Sequence, residues 1–134
     1  MSAAIEFLNP AGLAPPPGYS QVAAVRSGRL VYIAGQVALD AAGALVGAGD
    51  IDTQAGQVFR NLSTALAAVG GSAADLVKLT VFVRDMAGLA AYRAARDRFF
   101  ASVAPPAAPA VTLVEVSRLY RDDALIEVEA VAAL

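Results

Sequence analysis

Apolar and polar positions change their period several times along the chain, and each change marks an element. Leu76–Val83 alternates with period two, with Val77, Leu79, Val81 and Val83 on one face and Lys78, Thr80 and Phe82 on the other. This predicts a strand with one buried face. From Asp52 the spacing becomes three and four through Ala55, Val58, Phe59, Leu62, Ala65, Leu66 and Val69. An amphipathic helix is predicted there, capped by Asp50 or Asp52 and stopped at Gly70-Gly71. Asp85 can cap a second helix with an apolar stripe of Leu89, Tyr92, Phe99, Phe100 and Val103, which Pro105-Pro106 ends. Arg93 and Arg96 lie beside that stripe. β-rich stretches at 21–26 and 30–39 flank Ser27-Gly28, a plausible tight hairpin connection, and Asp40 to Gly43 is a further turn. Two last strands, about 110–116 and 124–131, flank the polar turn around Arg121-Asp122-Asp123. Residues 9–19 hold four prolines and two glycines and form an extended lead-in over the surface.

The predicted order is β-β-β-α-β-α-β-β, an α+β fold in a single domain over residues 1–134, with no internal repeat. Two helices cannot cover both faces of a sheet of five or six strands. The uncovered face is expected to carry Phe82, Val111 and Leu113, and a closed homo-oligomer would bury it; the alternative is a twisted sheet that curls on itself. Composition points the same way: 57% hydrophobic and 16% charged residues leave little charge to cover an exterior.

Ten Lys and Arg stand against 12 Asp and Glu, so no general field draws in polyanions and nucleic acid is not an expected partner. The chain has no Cys and no His, which excludes disulfides, thiolate nucleophiles and the commonest metal ligand, and leaves carboxylates, hydroxyls, arginines and backbone groups for any chemistry. No carboxylate-only metal site has a local signature, and neither metal nor organic cofactor is expected. No apolar run nears the roughly 20 residues needed to cross a bilayer, and no basic segment leads into an apolar core near Met1-Ser2. A cytoplasmic location is expected, with no membrane partner.

Tyr19-Ser20-Gln21, Tyr32-Ile33-Ala34-Gly35-Gln36, Gln54 with Gln57 and Asn61-Leu62, and the run from Asp75 to Met86 occur in an order and spacing that resemble the RidA (YjgF, L-PSP) family. The similarity continues through Phe99-Phe100 and Pro109-Ala110 to Leu125-Ile126-Glu127-Val128-Glu129-Ala130 and so covers nearly the whole chain. The resemblance implies a chorismate-mutase-like α+β fold, with two helices packed on one face of the sheet. It also implies a homotrimer with sites in clefts between subunits. Archetypal members hydrolyse imines and enamines such as 2-aminoacrylate to the 2-oxo acid and ammonia without a metal or organic cofactor.

Carried over by position, the resemblance makes Glu127 the catalytic candidate, the carboxylate proposed to orient or activate the attacking water; a rim carboxylate or an intersubunit ion pair is the alternative. Tyr19 matches the aromatic residue that helps close the pocket, or else packs at a strand entrance. Gly35 matches a close backbone approach to the ligand, or marks a bulge or close strand contact. Imine-hydrolysing members grip the substrate carboxylate with an arginine where this chain has Val111, in the stretch Pro109-Ala110-Val111-Thr112. An aliphatic residue there favours an uncharged or more apolar ligand, and alternation carries that apolar wall on to Leu113; simple interface packing is the competing role. Leu113 would offer backbone groups to the ligand. Arg93 could compensate for the missing arginine, or its stem could cover the helix stripe while its head solvates or pairs with Asp97. The expected function is a hydrolase of a small imine, enamine or related C–N metabolite other than 2-aminoacrylate. The alternative is a non-catalytic trimer that binds a small molecule or regulates a partner. Ribonuclease activity lacks the basic stripe or stacking platform it would need.

Overall fold

A computed structural model describes residues 3–104 and 106–134. Met1 and Ser2 at the start of the chain, and Pro105 of the expected helix stop, lie outside the described residues. The elements are β1 (Ala4–Leu8), β2 (Val22–Ser27), β3 (Leu30–Gln36), α1 (Ile51–Ala68), β4 (Leu76–Val83), α2 (Leu89–Phe100), β5 (Ala110–Glu115) and β6 (Ile126–Ala133). From β2 onward their order matches the one predicted from the sequence, whereas β1 forms at Ala4–Leu8, ahead of the first predicted strand.

Four strands form a mixed sheet in the order β3-β6-β4-β5, with β6 antiparallel to both neighbours and β5 parallel to β4. β1 and β2 form a separate antiparallel pair. The expected hairpin across Ser27-Gly28 is therefore absent: β2 pairs with β1 and β3 pairs with β6. The C-terminal strand takes the edge of β3, and Arg29 and Leu134 exchange both backbone hydrogen bonds at its end. Gly28, at φ 118°, makes the break beneath the Leu134 carbonyl, where a side chain would collide with it.

α1 begins at Asp50, whose carboxylate accepts from the Asp52 and Thr53 amides, and it gives way to Gly70 at φ 79°. Its buried side chains Val58, Phe59, Leu62 and Leu66 meet Leu79 and Val81 of β4 and Ile126 and Val128 of β6 in one core. Gln54 is fully buried within it: its amide group donates to the Gly47 and Asp123 carbonyls and its oxygen accepts from the Leu125 amide. One side chain thus ties α1 to the segment that feeds β6. Asp85 caps a single 3-10 turn, Met86–Gly88, rather than α2 itself, which starts after Gly88. α2 buries Tyr92, Ala95 and Arg96, while Leu89, Phe99 and Phe100 are only partly covered.

Both helices pack on one face of the four-stranded sheet. The open face carries Lys78, Thr80 and Phe82 of β4, with Glu129 opposite Thr80 and Glu127 opposite Phe82 on β6. Val111 and Leu113 are not on that face. Their partners across the parallel β4–β5 ladder are Leu79 and Val81, so both point to the helix side and pack against the core. Alternation alone cannot say which face of β5 is which; the register with β4 decides it.

Candidate functional site

The six residues singled out from the sequence fall into two groups on opposite faces of the sheet. Tyr19, Arg93, Val111 and Leu113 line a cavity of about 310 Å³ between α2, the lead-in and the edge strand β5. The lead-in reaches this place because the Ser20 amide donates to the Pro109 carbonyl, which holds Tyr19 beside the start of β5. Leu89 and Val111 supply apolar wall, and Tyr92 and Arg96 of α2 complete the lining together with Arg93.

Glu127 and Gly35 form the second group, on the open face. Gly35 sits at the register shift between Ile33 and Gln36, where β3 bends against β6. A Cβ on Gly35 would run into Oε1 of Glu127, so the carboxylate lies directly over the glycine. The alternative reading of Gly35, a bulge with a close strand contact, is what the register shift and the approach of Glu127 show. Burial, and after it the Glu129 charge two residues on, hold the Glu127 carboxyl above the usual carboxylate range. Glu127 accepts no hydrogen bond among the described residues, so its lone pairs remain available to a water. A partly buried, unpaired carboxylate raised in this way suits a general base at neutral pH.

Arg93 makes no ion pair among the described residues, and Asp97 pairs instead with Arg96, whose Nη2 lies 3.0 Å from Asp97 Oδ1. The expected Arg93–Asp97 pair is therefore replaced by a pair between sequence neighbours. Arg96 is the residue that sequence spacing undervalues. It follows Tyr92 by four positions and so sits on the stripe itself rather than beside it, with a side chain only 9% exposed. Among the described residues no group of three or more Asp or Glu is arranged to hold a metal ion, and no helix is long and apolar enough to cross a membrane.

Comparison with known proteins decides what kind of chain this is. A family model described as Endoribonuclease L-PSP matches residues 11–134. The chain belongs to the RidA (YjgF, L-PSP) family. Among its relatives, a RutC family protein of Haemophilus influenzae is 43% identical over 111 residues, 83% of this chain and 84% of the relative. The 2-iminobutanoate/2-iminopropanoate deaminase of Salmonella typhimurium is 37% identical over 111 residues, 83% and 84% of the two chains. Among solved structures, a protein of the conserved Rid family from Yersinia pestis superposes with a TM-score of 0.88 at 36% identity, covering 97% of this chain and 98% of that one. The chorismate-mutase-like fold expected for the RidA family, with two helices against a mixed sheet, is the fold observed.

Proposed function

We propose that this RidA-family protein hydrolyses a small imine or enamine in a cleft built by two copies of the chain. The observation that carries the proposal is the split of the site. Glu127 and Gly35 face outward from the open side of the sheet, whereas Tyr19, Arg93, Val111 and Leu113 surround a cavity on the helix side. One chain cannot bring both groups around one small molecule, but a neighbour seated on the open face can. The homotrimer implied by the family resemblance supplies such a neighbour, and the partly buried Phe82 and the 75% exposed Tyr32 lie where it would sit.

The chemistry follows from the available groups. A water held by the Glu127 carboxylate adds to the electrophilic imine carbon as Glu127 takes its proton, giving a carbinolamine. Glu127 then returns its proton to nitrogen, the C–N bond breaks with ammonia as leaving group, and the departing ammonia or bulk water takes the hydroxyl proton as the carbonyl forms, leaving Glu127 deprotonated. The relative named as an iminobutanoate and iminopropanoate deaminase supports this reaction class. Val111 in the place of the family's arginine supports a substrate other than 2-aminoacrylate.

An amino-acid oxidase that generates imines, with the imine left over trapped as its semicarbazone, provides the test. Trapping should fall with added protein for at least one of a panel of amino acids, and Glu127→Gln should restore it. Trapping unaffected across the panel would leave the family's other role, ligand binding without turnover, as the function.

A further inference from the structure

The helix-side cavity holds a buried cation whose ion-pair partner is exposed. The Arg96 side chain is about nine-tenths buried, and its one ion-pair partner, Asp97, is 70% exposed. Nε and Nη2 of Arg96 both donate to the same Asp97 oxygen, which leaves Nη1 without a partner among the described residues. A pair with a solvated neighbour contributes little and does not offset the desolvation of a guanidinium. The lead-in keeps water off it: Gly18, at φ 83°, crosses so close that a Cβ there would collide with Nη2.

The Tyr92 hydroxyl is buried beside the Arg96 guanidinium, which lies 5.9 Å from the centre of its ring; burial pushes the phenol pKa up to about 12, and the Arg96 charge and hydrogen bond oppose that rise. Tyr19 and Arg93 line the same cavity. The polar side-chain groups around it are therefore guanidinium and phenol groups, all able to donate, and none of the lining residues carries a carboxylate. Asp97, exposed, pairs with Arg96 from outside the lining, and Glu115 accepts from the Met86 amide. Buried Arg96, whose Nη1 has no partner among the described residues, and exposed Arg93, which makes no ion pair among them, leave this cavity complementary to an anion.

We propose that Arg96, assisted by Tyr92 and Arg93, is the carboxylate anchor of this chain, so that α2 takes over the recognition that β5 lacks at Val111. The ligand is then a small carboxylate whose remaining part is apolar and lies against Val111, Leu113 and Leu89. The sequence-based expectation of an uncharged ligand is replaced by that of a carboxylate held from a different element. This assignment rests on the cleft reading above and names the part of the substrate that the helix-side half of the cleft recognises.

The test compares 2-oxobutanoate with its uncharged amide, 2-oxobutanamide, by calorimetric titration of the full chain. Wild-type protein should bind the acid at least tenfold more tightly than the amide. Arg96→Met should weaken the acid by about 30-fold or more, as expected on loss of a charge-assisted pair, and leave the amide unchanged. Val111→Arg added to Arg96→Met should recover tenfold or more of acid binding by restoring a guanidinium to the cavity from β5. Tyr92→Phe covers the case in which Arg96→Met fails to fold. Removing the hydroxyl leaves the buried ring and its packing in place, so the variant should fold, yet it should weaken the acid by about three- to tenfold.

Equal affinity for the two probes in wild-type protein, binding of neither, or acid affinity unmoved by Arg96→Met and Tyr92→Phe would overturn the assignment. Loss of acid and amide binding together in Arg96→Met would also overturn it, because that marks a purely structural role. The two proposals fail separately. Imine turnover with no preference for the acid removes the anchor and leaves the deaminase, while acid binding that follows Arg96 without turnover of any imine removes the deaminase and leaves the anchor.

Discussion

Gly35→Ala isolates the placement of the Glu127 carboxylate from its presence. The added Cβ would stand 2.9 Å from Cδ and 3.1 Å from Cγ of Glu127 and would overlap Oε1. Carbon atoms in contact settle at about 3.5–4.0 Å, so the carboxylate has to retreat by about 0.5–1 Å. A catalytic group displaced by about 1 Å loses about 10²-fold in rate. Stability should change little, because Gly35 has no positive φ and the colliding atoms are the end of a flexible side chain. A change within about 1 kcal/mol corresponds to a melting shift within roughly 5 °C. The assay is imine trapping with semicarbazide at matched protein concentration, beside a thermal melt. Gly35→Ala should turn over about 10²-fold more slowly and melt close to wild type. Added to Glu127→Gln it should cost nothing further, since both changes act through one carboxylate. Wild-type turnover in Gly35→Ala, or a full additional loss in the double variant, would show that the position of Glu127 is irrelevant.

The raised Glu127 carboxyl has a linked consequence for stability. Between the usual carboxylate range and its raised value the folded protein binds the extra proton, so this group's contribution to stability declines as pH rises through that window and stays low above it. Glu127→Gln should therefore raise the melting temperature more at about pH 7.5 than at about pH 4, and an equal gain at both would contradict the burial of the carboxylate. Gln54→Leu strands the Gly47 and Asp123 carbonyls and the Leu125 amide; urea denaturation should show a loss of about 3–5 kcal/mol, and a loss below 1 kcal/mol would mean that these groups find other partners. Thr80→Glu adds a second carboxylate opposite Glu129 on the open sheet face. Sedimentation should show a wild-type trimer and a dissociated variant, and a trimer that survives the change would place the subunit interface elsewhere.

Much of the fold was legible because periodicity reports burial directly. β4 ends where its alternation ends, at Leu76 and Val83, and α1 takes its cap at Asp50 and its stop at Gly70 from backbone needs that particular residues meet. Ser27-Gly28 was misleading because a turn-compatible pair does not choose its strands. The hydrogen-bonding edge of β3 went to β6, more than 90 residues away, and no local signal encodes that choice. The candidate site was legible to a similar degree. Glu127 and Gly35 were identified by position and meet across the β3–β6 ladder, but Arg96 was passed over because a charged residue at helical spacing usually solvates a face.

By itself the sequence determined the α+β class, the order of the elements after β1, the family and the absence of thiol and imidazole chemistry, since each depends on residue type and short-range spacing. Tertiary structure decided what depends on pairing at a distance. The parallel register of β5 on β4 turned Val111 and Leu113 toward the helices, and the lead-in closed over Arg96 and made a surface-type residue a buried one. A two-residue period says that two faces differ, and only the neighbouring strand says which of them is inside.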